Sequence, residues 1–207
     1  MMQADLIDFF GIFSMASDKE KNQGSSPNAR DRLLKEAAKM FMVDGYERTT
    51  MRNIANATGI KLGSIAYYFK TKEDILFETM SAIIESGEKR ALATLHASDD
   101  VKNKLRSLIE VELDTFLNDT AAIVIKEWRC LSKKRRNQLI KHQQVYENIW
   151  SDVLTECHAR GIIRSKPEIA RRVLHGAFAW SDSWNGMKGE SDIEELAEEI
   201  MKLITHD

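Results

Sequence analysis

Residues 45–76 read GYERTTMRNIANATGIKLGSIAYYFKTKEDIL, and this stretch restricts the possible folds more than any other part of the chain. Residues 50–57 place Met51, Ile54 and Ala55 at helical spacing, which predicts a short helix with one apolar face. Gly59 follows, and a glycine permits the sharp turn that ends such a helix. Ile60 and Ile65 then point back inward, and a second short helix is expected over residues 62–69. Two short helices joined by a tight turn form a helix-turn-helix, whose second helix can lie in the major groove of DNA.

The stretch resembles the N-terminal module of the tetracycline-repressor (TetR) family, whose pattern is G-[FY]-x-x-T-[ST]-x-x-x-I-A-x-x-[AT]-G-[VI]-x-x-G-[ST]-[LI]-Y-x-[YH]-F-x-[ST]-K-[ED]-x-L. One departure matters: Ala66 stands where the family has Tyr, so the phosphate contact of that Tyr cannot come from here, and Tyr67 or Tyr68 is expected to replace it. The resemblance implies a set of DNA contacts. Thr50 and Arg52, opening the first helix of the motif, would meet phosphate, with Arg52 within reach of a base edge. Lys61, Gly63 and Ser64 would open the reading helix, and Gly63 would let the backbone approach closely. Tyr67 and Tyr68 would offer hydroxyls to phosphate or a ring edge to a thymine methyl. Lys72 would bind phosphate at the start of the next helix.

Charge supports the same surface. The whole chain of 207 residues carries a net charge of −2, yet residues 30–72 hold nine basic residues against four acidic ones. A local positive surplus suits phosphate, because neutralising it releases counterions. From residue 190 to the end the balance reverses. With 30% charged residues, 43% hydrophobic ones and only two prolines, the composition suits a helical protein with a sizeable core.

Along the chain the periodicity is helical throughout, and the fold class expected is all-α: a three-helix head followed by a larger helical body. Residues 1–27 are expected to be a flexible tail, since SDKEKNQGSSP is polar and rich in turn formers. Residues 28–74 are expected to form the DNA-binding head and 75–207 the ligand-binding and dimerisation body. The first helix should span residues 28–44, burying Leu33, Leu34, Ala37, Ala38, Phe41 and Met42, with Gly45 as its C-cap. Thr49 or Thr50 caps the next helix, and Thr71-Lys72-Glu73-Asp74 resembles a capping box that starts a helix running to about residue 95. In the body, helices are expected over residues 99–117, 121–131 and 135–160, the last closed by Gly161. Two S-x-x-E boxes, at Ser165 and Ser191, would start the eighth and ninth helices.

The body concentrates aromatic side chains, and the resemblance implies a ligand cavity among its helices. Trp128, Arg129, Tyr146, Trp150, Phe178 and Trp180 are the residues assigned to it, although core packing explains most aromatics on helices. The run Lys133-Lys134-Arg135-Arg136 reads either as a solvated loop or as a phosphate-holding rim. The segments IKEWRCLSKKRRNQLIKHQQVYENIWSDVL and LHGAFAWSDSWNGMKGESDIEELAEEI are similar to a TetR subgroup that senses acyl-CoA thioesters. In the family the last two helices pair with their symmetry mates, which implies a homodimer and a palindromic operator.

Other chemistries find little support. Cys130 and Cys157 are too few and too far apart for a disulfide framework and read as two buried reduced thiols. No G-x-G-x-x-G, P-loop, H-E-x-x-H or G-x-S-x-G occurs, and the five histidines lack metal-ligand spacing. No catalytic residue, cofactor or metal is therefore expected. No apolar run is long enough for a membrane span, and no secretory signal is evident, so a cytoplasmic protein is expected. The reading that results is a ligand-responsive homodimeric regulator, a repressor released from its operator by a small apolar or acyl-CoA-type effector. The competing reading is an architectural or partner-controlled DNA-binding protein with no inducer.

Overall fold

The computed structural model describes residues 29–117, 123, 126–180 and 190–206. Eight α-helices follow in order among these residues: α1 (Ala29–Asp44), α2 (Met51–Thr58), α3 (Leu62–Tyr68), α4 (Lys72–Ala97), α5 (Val101–Leu117), α6 (Lys133–Ala159), α7 (Pro167–Ala179) and α8 (Glu190–Ile204), with a 3-10 turn at Trp128–Cys130. The described residues hold no strand; one isolated bridge joins Ile163 to Thr205. The all-α expectation holds.

The helices end where their residues dictate. Thr50 is extended and its hydroxyl accepts the Asn53 N–H (3.1 Å), so it rather than Thr49 caps α2. Thr49 instead donates to the Gly45 carbonyl (2.9 Å). Gly59 ends α2 with a φ of 68°, a left-handed conformation that any other residue adopts at a cost. Thr71 and Asp74 exchange backbone and side-chain hydrogen bonds as a capping box for α4.

Two compact units result, each with its own core. One comprises the described residues up to Ser86 together with those among 123–139; the other comprises the described residues among 87–122 and 140–207. In the first, Leu33, Leu34, Ala37 and Phe41 of α1 pack with Ile54, Ile65, Phe69, Ile75, Leu76 and Met80. In the second, Leu105, Leu108, Ile109 and Leu113 of α5 pack with Trp150, Leu154, Leu174 and Phe178. Each fully buried Leu, Ile or Phe contributes about 1.5–3 kcal/mol, so apolar spacing along the helices sets the packing. Helices α4 and α6 contribute residues to both units.

Several expectations are corrected. Met42 does not join the buried stripe of α1 and is exposed, because it lies past the arc set by Leu34, Ala38 and Phe41. Ser165 caps nothing: Pro167 fixes the first turn of α7, which leaves Lys166 at the N-cap with no side-chain bond. Helix α8 begins at Glu190, so Ser191 falls inside its first turn. The basic run is no loop, since α6 starts at Lys133. Cys157 is buried, whereas Cys130 is only half-buried. The tail at residues 1–27, most of residues 121–125, and Trp184 lie outside the described residues.

Candidate DNA-binding surface and the body network

Helix α3 buries Ile65 and, through its C-cap, Phe69, and this anchors it against α1 and α4 residues of the same core. The residues it turns outward include those assigned to DNA, together with Leu62 and Ala66. Lys61, Gly63, Ser64 and Tyr67 are exposed, Tyr68 is half-buried, and Tyr67 meets Tyr68 edge to face at 5.3 Å. Thr50 and Arg52, at the start of α2, are exposed as well. A strip with Arg52, Lys61 and Lys70 at its edges and small or hydroxyl-bearing residues at its centre can lie on a polyanion and let the backbone come close.

Lys72 is placed differently. Its ammonium donates to the carbonyls of Tyr46 (2.6 Å) and Thr49 (2.8 Å), with a longer approach to Glu47 (3.5 Å), and sits 4.0 Å from the centre of the Tyr46 ring. An ammonium has three donors, so Lys72 is committed to the loop that leads into α2. The same loop is held from another side. Glu127 accepts the Tyr46 N–H (3.1 Å) and the Cys130 thiol (3.3 Å). Glu73 accepts the Ser132 N–H (2.7 Å), and Arg135 pairs with Asp74 while stacking on Phe77 at 4.3 Å. Burial and the carboxylates of Glu73 and Glu47 push the Tyr46 hydroxyl up to about 12. Burial and Glu127 push the Cys130 thiol up to about 11, so it stays protonated.

Of the residues assigned to a ligand cavity, Trp128 and Arg129 belong to this first unit, with Trp128 packed on its core and Arg129 exposed. Trp180, the C-cap of α7, is 73% exposed. Tyr146, Trp150 and Phe178 do come together, in the second unit, where Trp150 and Phe178 are fully buried at a centroid distance of 6.4 Å.

They surround ionic residues that sequence reasoning missed. Arg171 lies 4.6 Å from the Trp150 ring and 6.0 Å from that of Tyr146. It forks onto Glu147 (2.9 and 2.8 Å) and also donates to both oxygens of Glu112 (3.0 and 3.2 Å). Glu112 further accepts from the Tyr146 hydroxyl (3.1 Å) and meets His175 Nδ1 (3.1 Å). A carboxylate only accepts, so with Glu112 ionised the His175 proton is on Nδ1. Burial alone would raise the Glu112 pKa, but the His175 bond and the Arg171 charge outweigh it and hold the group below the usual carboxylate range. The clue in the sequence was Glu112 itself, a charge at a core position of the α5 stripe, with Arg171 and His175 one turn apart on α7.

An exposed helix-turn-helix carried by a helical body defines a DNA-binding regulator. Residues 33–79 match the family of bacterial regulatory proteins of the tetR type, and residues 98–207 match the tetracyclin repressor-like C-terminal domain. The second match spans more than half of the chain, which therefore belongs to the TetR family. The transcriptional repressor KstR2 of Mycolicibacterium smegmatis is 26% identical over 180 residues, covering 84% of this chain and 88% of its own. The solved structure of superantigen PfiT is 36% identical, covers 89% of this chain and all of its own, and superposes with a TM-score of 0.77. AibR, solved with isovaleryl coenzyme A and operator DNA, shares the fold at a TM-score of 0.76 and 19% identity, over 86% of this chain and 98% of its own. Among the described residues there is no cluster of His, Cys, Asp and Glu fit to hold a metal ion, and no helix long and apolar enough to cross a membrane.

Proposed function

We propose that this protein is a homodimeric, ligand-responsive transcriptional repressor, acting in the cytoplasm on a palindromic operator and released by a small apolar or acyl-CoA-type effector. The observation that carries the reading is the outward strip of Thr50, Arg52, Lys61, Gly63, Ser64 and Tyr67 on a helix-turn-helix whose inward face is closed by Ile54, Ile65 and Phe69. Residues 28–74 serve the operator and 75–207 the effector and the dimer. Lys72 assists as a positioning residue through the loop it holds.

Dimerisation is supported by α7, where Ile169, Val173 and Trp180 are exposed at positions i, i+4 and i+11, and by exposed Leu203 on α8. A C2 pairing of these helices would present two reading helices to successive major grooves. The effector reading is supported by the isovaleryl coenzyme A in the AibR structure, and the sign of regulation by the repressor role of KstR2. Helix α4 is the proposed link: Lys72 holds the head loop at one end, and Arg90 bonds Asp114 and Thr115 of α5 at the other.

The test is fluorescence anisotropy of the purified protein on DNA flanking its own gene, with and without a panel of acyl-CoAs. Tight, palindrome-dependent binding relieved by one thioester is the expected outcome. Tight binding indifferent to every ligand tried would leave a regulator without this effector class, and weak, sequence-blind binding would sink the repressor reading.

A further inference from the structure

We infer that Leu62 and Ala66 form an apolar reading edge on α3 that selects thymine, through its 5-methyl group, at a fixed position of each half-site. The inference rests on the DNA-reading role proposed for α3.

Helix α3 is composed of Leu62, Gly63, Ser64, Ile65, Ala66, Tyr67 and Tyr68. It contains no Arg, Lys, Asn, Gln, Asp or Glu, the side chains that make bidentate or charge-assisted bonds to base edges. Hydrogen-bonded readout from the helix is therefore limited to hydroxyls, and base discrimination by α3 itself draws on shape and apolar contact. At about 100° per residue, burial of Ile65 and Phe69 centres the outward face on Gly63 and Tyr67, with Ala66 on one flank and Ser64 on the other; Leu62 lies on the Ala66 side nearer the buried arc and is exposed as the first residue of the helix. Leu62 is 44% exposed in the first turn, and Ala66 lies one turn further along the same flank.

A single exposed leucine is ordinary on a protein surface. This one borders a surface that is otherwise polar, with Lys61 beside it and Arg52 and Lys70 exposed on the flanking segments, a charge pattern complementary to phosphate. Ala66 matters because of its size. A large side chain there would cover the leucine from the adjacent turn, whereas a methyl leaves a notch in front of it. Thymine alone among the four bases presents a methyl in the major groove, so a notch walled by Leu62 and Ala66 is matched to that base.

The experiment compares operators in which each thymine of both half-sites is replaced in turn by deoxyuridine, which removes only the methyl. Anisotropy with the full chain should show one position where the exchange weakens binding about fourfold for one half-site and about fifteenfold for both, the fold-changes expected for one and two buried methyl groups. Leu62→Ala should bind more weakly and lose the sensitivity at that position; because Leu62 is exposed, its thermal midpoint should match that of the parent. Undiminished affinity for an operator carrying uracil throughout would overturn the inference and leave the regulator reading standing. So would full uracil sensitivity in Leu62→Ala. Failure to find palindrome-dependent binding before any exchange would instead remove the DNA-reading role, and this inference with it.

Discussion

A charged side chain acquires its role from its partners, and two residues show how far that can depart from its formal charge. Lys72 points at carbonyls and not at solvent, so Lys72→Met should leave the Tyr46 and Thr49 carbonyls short of a donor and cost about 1.5–3 kcal/mol, read as a lower urea midpoint. Lys61→Ala, by contrast, should leave the midpoint unchanged and flatten the salt dependence of operator binding by about 0.9 in slope for each phosphate no longer neutralised. If the two variants behaved alike, the positioning role of Lys72 would be wrong. Glu112 makes the same point in the second unit. Its folded pKa is depressed, so the stability it adds is fully present above the unfolded carboxylate value of about 4.3 and is lost as pH falls through the folded value. Urea midpoints measured from pH 6 down to the acid limit should therefore decline more steeply for the parent than for Glu112→Gln. Removing one partner of this buried ion pair, as in Arg171→Met, should cost about 3–5 kcal/mol at neutral pH.

At the scale of elements, legibility followed the range of the signal. The helix-turn-helix was readable because its determinants are local: the Thr50 cap, the left-handed Gly59 and the Met51–Ile54–Ala55 spacing all act within one turn. The start of α7 departs from its serine box because Pro167 fixes the first turn more strongly than a serine two residues earlier can. The Glu112–Arg171 network could not be assembled from sequence, since it joins residues 59 positions apart on three helices, and the core position of Glu112 marks a buried charge without naming its partners. The aromatic concentration and the family resemblance assign Trp180 to a cavity, yet its exposure beside Val173 suits a surface to be covered. Val173→Lys should accordingly convert the proposed dimer to monomer in light scattering at micromolar concentration, with far weaker operator binding and an unchanged helical spectrum. A dimer that survives the lysine would place the interface elsewhere.

For the whole molecule, the question raised by the proposed effector is how its binding in one unit would be felt in the other. Turning operator occupancy from 99:1 to 1:99 requires the effector to prefer the released state by about ten thousandfold, and linkage demands that the operator weaken the effector by the same factor. Of the two helices that contribute residues to both units, α4 is bound at its start by the carbonyls facing Lys72 and near its end by Asp114 and Thr115 through Arg90, which makes it the proposed carrier of such a preference. Arg90 is half-buried and pairs within its own unit, so Arg90→Met should leave the operator-reading surface intact. The variant should bind the operator as tightly as the parent and still bind effector, but the factor by which each ligand weakens the other should fall toward one. Measuring both affinities in the presence and absence of the other ligand closes the cycle. Coupling unchanged in Arg90→Met would show that the signal does not pass through this end of α4, whereas loss of operator affinity itself would show that the Arg90 bonds hold the reading conformation and not only the link.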